Sequence, residues 1–274
     1  MNAMKRIVTG AVALLLVASA ALAGPVNLSL WTAESYPAVS GFGPGVWTVS
    51  LSGDSVTQSV NGQPTLFYSN FNARGSDVRG SITAAGDGDD DYIGFALGFR
   101  PGDTSSAAAD FLLVDWKRQT QGFDFGSPST TPGTTALAGL AVSRVTGVPT
   151  ADELWGHTDF ASDTSGGVAE LARAAHLAST GWSPGVEYDF RFIFEADRLQ
   201  VFVNNALELD INGSFPDGRL AFYNFSQREV TYSAFTLDTV PEPTPRPIPA
   251  PAAALLAAFG AALVGCLQKR RFPS

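Results

Sequence analysis

The chain has 274 residues, of which 45% are hydrophobic and only 16% charged, with 28 Gly, 17 Pro and 19 Phe. This composition is typical of many short strands joined by glycine and proline turns, and it argues against a coiled coil or a disordered acidic chain. With 1 Cys and 2 His, a zinc centre built from those residues is almost excluded.

The first 23 residues predict a secretory signal peptide. Lys5 and Arg6 form the basic start, an apolar stretch runs from residue 7 to about 20, and Ala21 and Ala23 frame an A-x-A cleavage site. An uncleaved anchor is the alternative, but the small residues at the exit favour cleavage. We therefore expect export by the Sec route and a mature protein that begins at residue 24.

The body, residues 24–239, predicts one all-β domain. Apolar or alternating runs of strand length lie at 46–51, 92–99, 111–116, 188–194, 198–203, 218–225 and 230–237. Short strands at near-regular spacing, with turn sequences between them, indicate an antiparallel β-sandwich. The Ala-rich stretch at 168–178 is the exception and predicts a short helix or a crossing loop.

The charge of the body bears on its partners. Residues 24–240 contain 11 basic and 25 acidic residues, a formal charge of −14, and no cysteine. So negative a surface disfavours nucleic acid and anionic membranes. It favours cations, and calcium is the abundant one outside a cell. Without disulfides, the core alone must hold the fold.

An acidic cluster precedes the apolar run that starts at Tyr92. Its members are Asp87, Asp89, Asp90 and Asp91. Calcium takes six to eight oxygen ligands, which closely spaced carboxylates can supply in part. An EF-hand does not fit, because its glycine position is Tyr92 and its final glutamate position is Gly98. Spacing alone favours the alternative, an acidic turn that blocks edge pairing.

Catalytic patterns are weak, and we expect no enzyme. The acidic pairs in Glu195–Asp197 and Glu208–Asp210 stand in turn-like contexts, whereas a glycosidase needs two carboxylates facing each other across a cleft. His157 and His176 have no Gly-x-Ser-x-Gly partner. Each is read as a surface or packing histidine.

The tail, residues 240–274, combines three features in order. A Val-Pro-Glu-Pro motif is followed by an apolar stretch at about 250–267 and a basic end; the motif and the terminal pair are Val240, Pro241, Glu242, Pro243, Arg270 and Arg271. The apolar stretch is just long enough for a transmembrane helix, and the basic end would stay in the cytoplasm. A plain tail anchor is the simple alternative.

This arrangement resembles the PEP-CTERM sorting signal of exported proteins from Gram-negative bacteria that make extracellular polysaccharide. The resemblance implies a transient anchor in the inner membrane and cleavage by an exosortase near Pro241–Pro243. Release or attachment at the cell surface or in the extracellular matrix would follow.

The body resembles the C-terminal domain of thrombospondins. The matching blocks lie in family order at residues 56–71, 89–99, 110–117, 153–158, 181–182 and 218–227. The resemblance implies a concanavalin-like jelly-roll sandwich, calcium binding and an extracellular adhesive role. It also makes Asp89, Asp90 and Asp91 the expected calcium ligands, with Asp87 beside them. The family's Val-Val-Met stretches read Leu113–Asp115 and Val201–Val203 here, so binding to animal receptors is not carried over.

Three functions remain open from the sequence. The favoured one is an exported, surface-associated or secreted calcium-binding adhesion or matrix protein. The second is a lectin module for exopolysaccharide, to which Trp155 or Trp182 could contribute an aromatic platform beside Asn70 and Asn72, although a tryptophan is more often a core residue than a platform. The third and least favoured is a polysaccharide hydrolase.

Overall fold

Two antiparallel sheets pack face to face in the computed structural model, which describes residues 23–85, 88–126, 132–160 and 165–240. The eight-stranded sheet contains β1 (Gly24–Pro25), β3 (Trp47–Val49), β4 (Ser55–Gln58), β6 (Ser76–Ala84), β13 (Glu187–Phe194), β14 (Arg198–Val203), β15 (Ala206–Asn212) and β17 (Val230–Thr239). The seven-stranded sheet contains β2 (Thr32–Ser35), β5 (Thr65–Asn72), β7 (Tyr92–Phe99), β8 (Asp110–Lys117), β11 (Gly139–Gly147), β12 (Gly166–Arg173) and β16 (Arg219–Phe225). A hairpin of β9 (Gln121–Phe123) and β10 (Thr134–Ala136), the helix α1 (Ala151–Gly156) and two 3-10 turns (Leu28–Leu30 and Asp103–Ser105) complete the described elements.

The strand order places the carboxyl-terminal strand in the middle of its sheet. The eight-stranded sheet runs β15–β14–β13–β6–β17–β4–β3, and β1 also pairs with β17. The seven-stranded sheet runs β12–β11–β8–β7–β16–β5–β2. After β17 ends, the Val240 amide still donates a hydrogen bond of 2.9 Å to the Gly75 carbonyl.

The main core lies between the two sheets and is rich in aromatic rings. Phe95 of β7 lies 5.0 Å from Phe190 and 4.8 Å from Phe192 of β13, measured between ring centroids. Phe222 of β16 stacks on Tyr232 of β17 at 4.4 Å. These contacts join the inner faces of two aligned sheets, as in other β-sandwiches.

A second core covers the outer face of the seven-stranded sheet. Leu154 and Trp155 of α1, Phe125 after β9 and Tyr36 after β2 pack with outward-facing residues of this sheet such as Tyr92. Because β7 is thus buried on both faces, its sequence is continuously apolar rather than alternating. By contrast, β13 has one solvent-exposed face and its burial alternates.

The structure confirms the all-β sandwich and the strands expected at 92–99, 111–116 and 198–203. The prediction of a helix or loop at 168–178 is wrong for its first part, because residues Gly166–Arg173 form strand β12, whereas residues 174–178 form a loop. Val168 is buried and pairs with Val145 of β11. Pairing and burial here outweigh the helical preference of alanine, since intrinsic propensity is a weak determinant.

Most of the predicted targeting segments lie outside the described residues. These are Ala21 of the signal peptide, and Pro241, Glu242, Pro243, Arg270 and Arg271 of the tail. Ala23 and Val240 are described and stand at the two ends of the body. Within the described part of the chain, no helix has both the length and the apolar character needed to cross a bilayer.

Candidate metal site

The acidic triplet Asp89–Asp91 leads directly into β7. Tyr92, the first residue of β7, pairs with Lys117 at the end of β8. This register brings the carboxylates next to the end of β8, where the backbone amide of Arg118 donates to the Asp90 carbonyl at 3.1 Å. Asp87 lies outside the described residues.

The three carboxylates converge. Asp89, Asp90 and Asp91 each offer one oxygen atom, and these atoms lie within 4.8 Å of one another. Asp89 and Asp90 are half-buried and Asp91 is buried. Carboxylate oxygens are the hard ligands that calcium prefers, so this donor set fits the ion chemically.

A buried lysine already binds part of the triplet. The ammonium nitrogen of Lys117 lies 2.6 Å from Asp91 Oδ1 and 3.0 Å from Asp90 Oδ1, and it also donates to the Asp90 carbonyl at 2.9 Å. The Lys117 side chain is fully buried and lies 4.6 Å from the centre of the Trp155 ring. Burial raises the pKa of Asp91, and the charge of Lys117 opposes that rise.

Lys117 does not engage the three carboxylates equally. Asp91 is committed to Lys117, whereas Asp90 Oδ2 accepts no hydrogen bond from any described residue. Asp89 accepts a hydrogen bond of 2.7 Å from the Asn61 amide and remains half-buried. Lys117 therefore already neutralises part of the charge of the acidic triplet, by its ion pairs with Asp90 and Asp91.

Comparison with known proteins identifies the family. The family model described as "Thrombospondin C-terminal region" matches residues 44–239. The chain belongs to the thrombospondin C-terminal family. Thrombospondin-3b of Danio rerio is 30% identical over 199 residues, and thrombospondin-4 of Bos taurus is 29% identical over 211 residues. These alignments cover 68% and 72% of this chain but only 20% of each relative, so the chain spans about a fifth of their length.

Solved structures with a similar architecture are more distant in sequence. A carbohydrate-binding module, CBM66 of Bacillus subtilis, is 11% identical with a TM-score of 0.49, and the match covers 77% of this chain and 96% of that one. Sheep galectin-11 is 12% identical with a TM-score of 0.36, over 63% of this chain and 96% of that one.

The two tryptophans of this thrombospondin C-terminal domain do not form the predicted sugar platform. Trp155 and Trp182 are 1% and 2% exposed, so neither ring offers a face to a ligand. They instead support the triplet from inside: the Trp182 indole donates to the Asp91 carbonyl at 3.0 Å, and Trp155 packs under Lys117. Tryptophan N–H groups usually find such partners when they are buried.

The two asparagines predicted beside that platform lie at the other end of the seven-stranded sheet. Asn72 ends β5 opposite Arg219, which in turn pairs with Phe99 at the far end of β7 from Tyr92. Asn70 and Asn72 are exposed, and the Asn72 amide donates to Asp217 at 3.2 Å. The structure therefore does not bring the four platform residues together.

A second charged network, not anticipated from the sequence, lies under the cover of the seven-stranded sheet. His157 follows α1 in the left-handed conformation (φ 48°), and α1 itself starts with a capping box between Thr150 and Glu153. This geometry places His157 Nε2 3.0 Å from Asp115 Oδ2 and Nδ1 3.3 Å from Glu170 Oε2. The only sequence signal was the Thr-x-x-Glu capping box, which predicts a helix start but no partner for the histidine.

The protonation of His157 follows from its two neighbours. Burial lowers the pKa of His157, but the carboxylates of Asp115 and Glu170 outweigh burial and raise the pKa to about 9. The imidazolium form is thus held between two anions at neutral pH. His157 does pack in the interior, with its ring centre 5.4 Å from that of Tyr92, but its ion pairs with Asp115 and Glu170 were not expected from the sequence. The His176 side chain is 72% exposed, as a surface histidine would be.

Of the two acidic pairs considered for hydrolysis, Glu208 and Asp210 have structural partners. Glu208 is buried and accepts hydrogen bonds from the backbone amides of His176 and Leu177 at 2.8 and 3.2 Å. Asp210 forms an ion pair with Arg198 at 2.7 Å. The expectation of a turn at 208–210 is also wrong, since these residues belong to β15.

Proposed function

We propose that this protein is an exported adhesion or matrix protein whose thrombospondin C-terminal domain is stabilised by calcium bound at Asp89 and Asp90. The observation that carries the proposal is the convergence of three carboxylates within 4.8 Å at the start of β7. Family membership supports it, since this convergence occurs in a domain of the thrombospondin C-terminal type. We further propose that an exosortase processes the tail and that the mature protein acts outside the cell without enzymatic activity.

Calcium would act on this domain as a clamp on the connection between β6 and β7. The ion would be held by Asp89 and Asp90, while Lys117 keeps Asp91 in place beneath them. Its charge would offset the mutual repulsion of the carboxylates, which costs most where they are partly buried. Binding to the folded state alone then raises the stability of the whole domain.

The test is thermal unfolding of the full chain in mild detergent, with millimolar calcium and with excess chelator. A ligand at 100 times its dissociation constant adds about 2.7 kcal/mol, which raises the midpoint of a domain of this size by several degrees. We expect this rise in the wild type and its loss in the double variant Asp89→Asn/Asp90→Asn. Asp197→Asn, an exposed carboxylate in the turn between β13 and β14, is the matched control and should keep the rise. An equal midpoint with calcium and with chelator would contradict the proposal.

A second candidate is a lectin function for exopolysaccharide. It is favoured by one specific feature, a polar groove on the uncovered face of the eight-stranded sheet, lined by Arg79, Ser81, Asp189, Arg191 and Asn205 among others. Adhesion and glycan binding are compatible, since a matrix protein can adhere through a polysaccharide. Direct titration with oligosaccharides separates this candidate from the calcium proposal.

A further inference from the structure

A groove of about 270 Å³ lies on the outer face of the eight-stranded sheet, where nothing among the described residues covers it. Its lining comes from β6, β13, the turn after β14 and β17: Arg79, Gly80, Ser81, Asp189, Phe190, Arg191, Asn205 and Ala234. A β-bulge in β17 opens the sheet here, because the register with β6 shifts between Ser233 and Thr236 and Ala234 adopts a positive φ of 57°.

At one end of the groove, two arginines bind the same carboxylate. Arg79 and Arg191 stand directly opposite each other in the β6–β13 ladder. Two like charges in such a pair repel, and here they share Asp77, which accepts from Arg191 Nη2 at 2.6 Å and from Arg79 Nη2 at 3.1 Å. One positive charge is therefore in excess at this end.

The two guanidinium groups are held in place without a ligand, and each has an N–H group that is available to bind one. Each guanidinium uses Nε and Nη2 to bind Asp77, and neither Nη1 donates a hydrogen bond to any described residue. The guanidinium carbon of Arg191 also lies 5.1 Å from the centre of the Phe202 ring, a cation–π contact that helps to hold it in place. Burial alone would raise the pKa of Asp77, but the hydrogen bonds from the two arginines hold it below its usual range.

The other end of the groove offers hydrogen-bonding groups for hydroxyls. Asp189 accepts from the Ser81 hydroxyl at 2.9 Å and is otherwise exposed on this face. Asn205 is the second residue of a tight turn in which Asn204 and Asn205 both have positive φ, 49° and 66°. Such a turn matches the twist of its strands and holds the Asn205 side chain at the rim of the groove.

We propose that this groove binds one carboxylate-bearing sugar unit of an acidic polysaccharide. The sugar carboxylate would accept from Nη1 of Arg79 and Arg191, and the ring hydroxyls would bind Asp189 and Asn205. The inference rests on the lectin candidate above and names its ligand class and its site.

The size of the groove favours a single sugar acid, and salt screening limits the charge repulsion that opposes it. At about 270 Å³ the groove is just below the ~300 Å³ at which pockets for drug-sized ligands begin, so it suits one ring of a polymer that crosses the open face. The body as a whole carries −14 and repels a polyanion at long range. At physiological salt the screening length is about 8 Å, so that repulsion fades and the contact with the arginine pair decides binding.

The experiment is calorimetric titration of the full chain in mild detergent, at physiological salt and in excess chelator so that calcium cannot bridge the two anions. The probes are an oligogalacturonate and the same oligosaccharide with its carboxylates methyl-esterified, which removes only the charge. We expect binding of the acidic probe and at least tenfold weaker binding of the ester. Arg79→Gln should weaken the binding of the acidic probe tenfold or more. This side chain is 55% exposed, so we expect the variant to fold, and thermal unfolding checks this.

Arg198→Gln is the matched control, because Arg198 lies on the same sheet and also pairs with an aspartate. The dissociation constant of this variant for the acidic probe should lie within twofold of the wild-type value. Equal losses in the two variants would indicate diffuse attraction and overturn the proposal. If Arg79→Gln does not fold, Arg191→Gln takes its place with the same expectation.

The remaining outcomes separate the inference from the function on which it rests. Equal binding of the acidic and esterified probes would overturn the sugar-acid proposal and leave the lectin candidate standing. Binding of neither probe would overturn this proposal. The lectin candidate would fail only if a panel of neutral oligosaccharides also gave no heat of binding, and the calcium-dependent melting result is independent of both.

Discussion

The two sheets of this sandwich differ in what lies on their outer faces. The seven-stranded sheet is covered by α1, the β9–β10 hairpin and the segment after β2, and its strand β7 is buried at every position. The eight-stranded sheet is open on its outer face, and from Asp189 onward buried residues of β13 alternate with exposed or half-buried ones. A continuously apolar strand thus indicates a second layer above it, and an alternating strand indicates a face available to ligands.

The same difference separates two kinds of ion pair. The pairs Lys117–Asp91 and His157–Asp115 are buried between the seven-stranded sheet and the layer that covers it. Arg198 with Asp210 lies on the open sheet in solvent. Breaking a buried pair leaves an uncompensated charge in a poorly solvated place, whereas an exposed pair is screened and contributes little.

The largest effect is expected from Lys117→Met, which removes the buried cation and keeps an unbranched, slightly shorter side chain. It should lower the free energy of unfolding by about 3–5 kcal/mol, because the Asp91 carboxylate is left buried without its partner. Burial raises the pKa of Asp91, and in the variant Lys117 no longer opposes that rise, so the carboxyl is more easily neutralised by a proton. The loss of unfolding free energy should therefore be greater at pH 8, where the carboxylate is charged, than at pH 5. Denaturant unfolding at both pH values measures this. A loss below about 1 kcal/mol would show that the covered sheet tolerates a free charge.

An intermediate, pH-dependent effect is expected from His157→Gln. The folded-state pKa of His157, about 9, lies above its ordinary value of about 6.5. The stability that it contributes is therefore fully present below pH 6.5 and is lost as the pH rises through 9. The midpoint difference between wild type and variant, measured in urea at pH 6, 7.5 and 9.5, should shrink in that order. A difference that grows with pH would mean that His157 is neutral between its two carboxylates.

The smallest effect is expected from the exposed pair on the open sheet. A double-mutant cycle with Arg198→Gln and Asp210→Asn should give a coupling energy close to zero, and adding salt should reduce it further. Denaturant unfolding of the four proteins measures it. A coupling as large as the Lys117→Met loss would remove the distinction between the two sheets.

Much of the fold was predictable from the sequence because strand periodicity is a local property. The runs at 92–99 and 198–203 match β7 and β14 at both ends. The error at Val168 has a non-local cause, since β12 is a strand by virtue of its pairing with β11. Helix α1 was missed although its Thr150–Glu153 capping box stands in the sequence, because the helix has only six residues.

The site was predictable only in part. The acidic triplet is visible as a run of three aspartates, and its oxygen atoms do converge. Its lysine partner is not visible, because Lys117 is 26 residues from Asp91 and meets it only through the register of β7 on β8. For the same reason the sequence could not decide between the core and platform roles of the tryptophans: burial depends on which elements cover a sheet, and Trp155 lies in the covering layer.

The position of β17 bears on how this domain would carry a mechanical load. The strand lies between β6 and β4 with β1 along its edge, and Val240 continues its hydrogen bonding as far as Gly75. A pull applied at Val240 would act along a central strand. It would strain the ladders on both sides together, in shear, rather than opening one bond after another from an edge. An attachment point that follows this strand would thus transmit force into the interior of the eight-stranded sheet rather than to one of its edges.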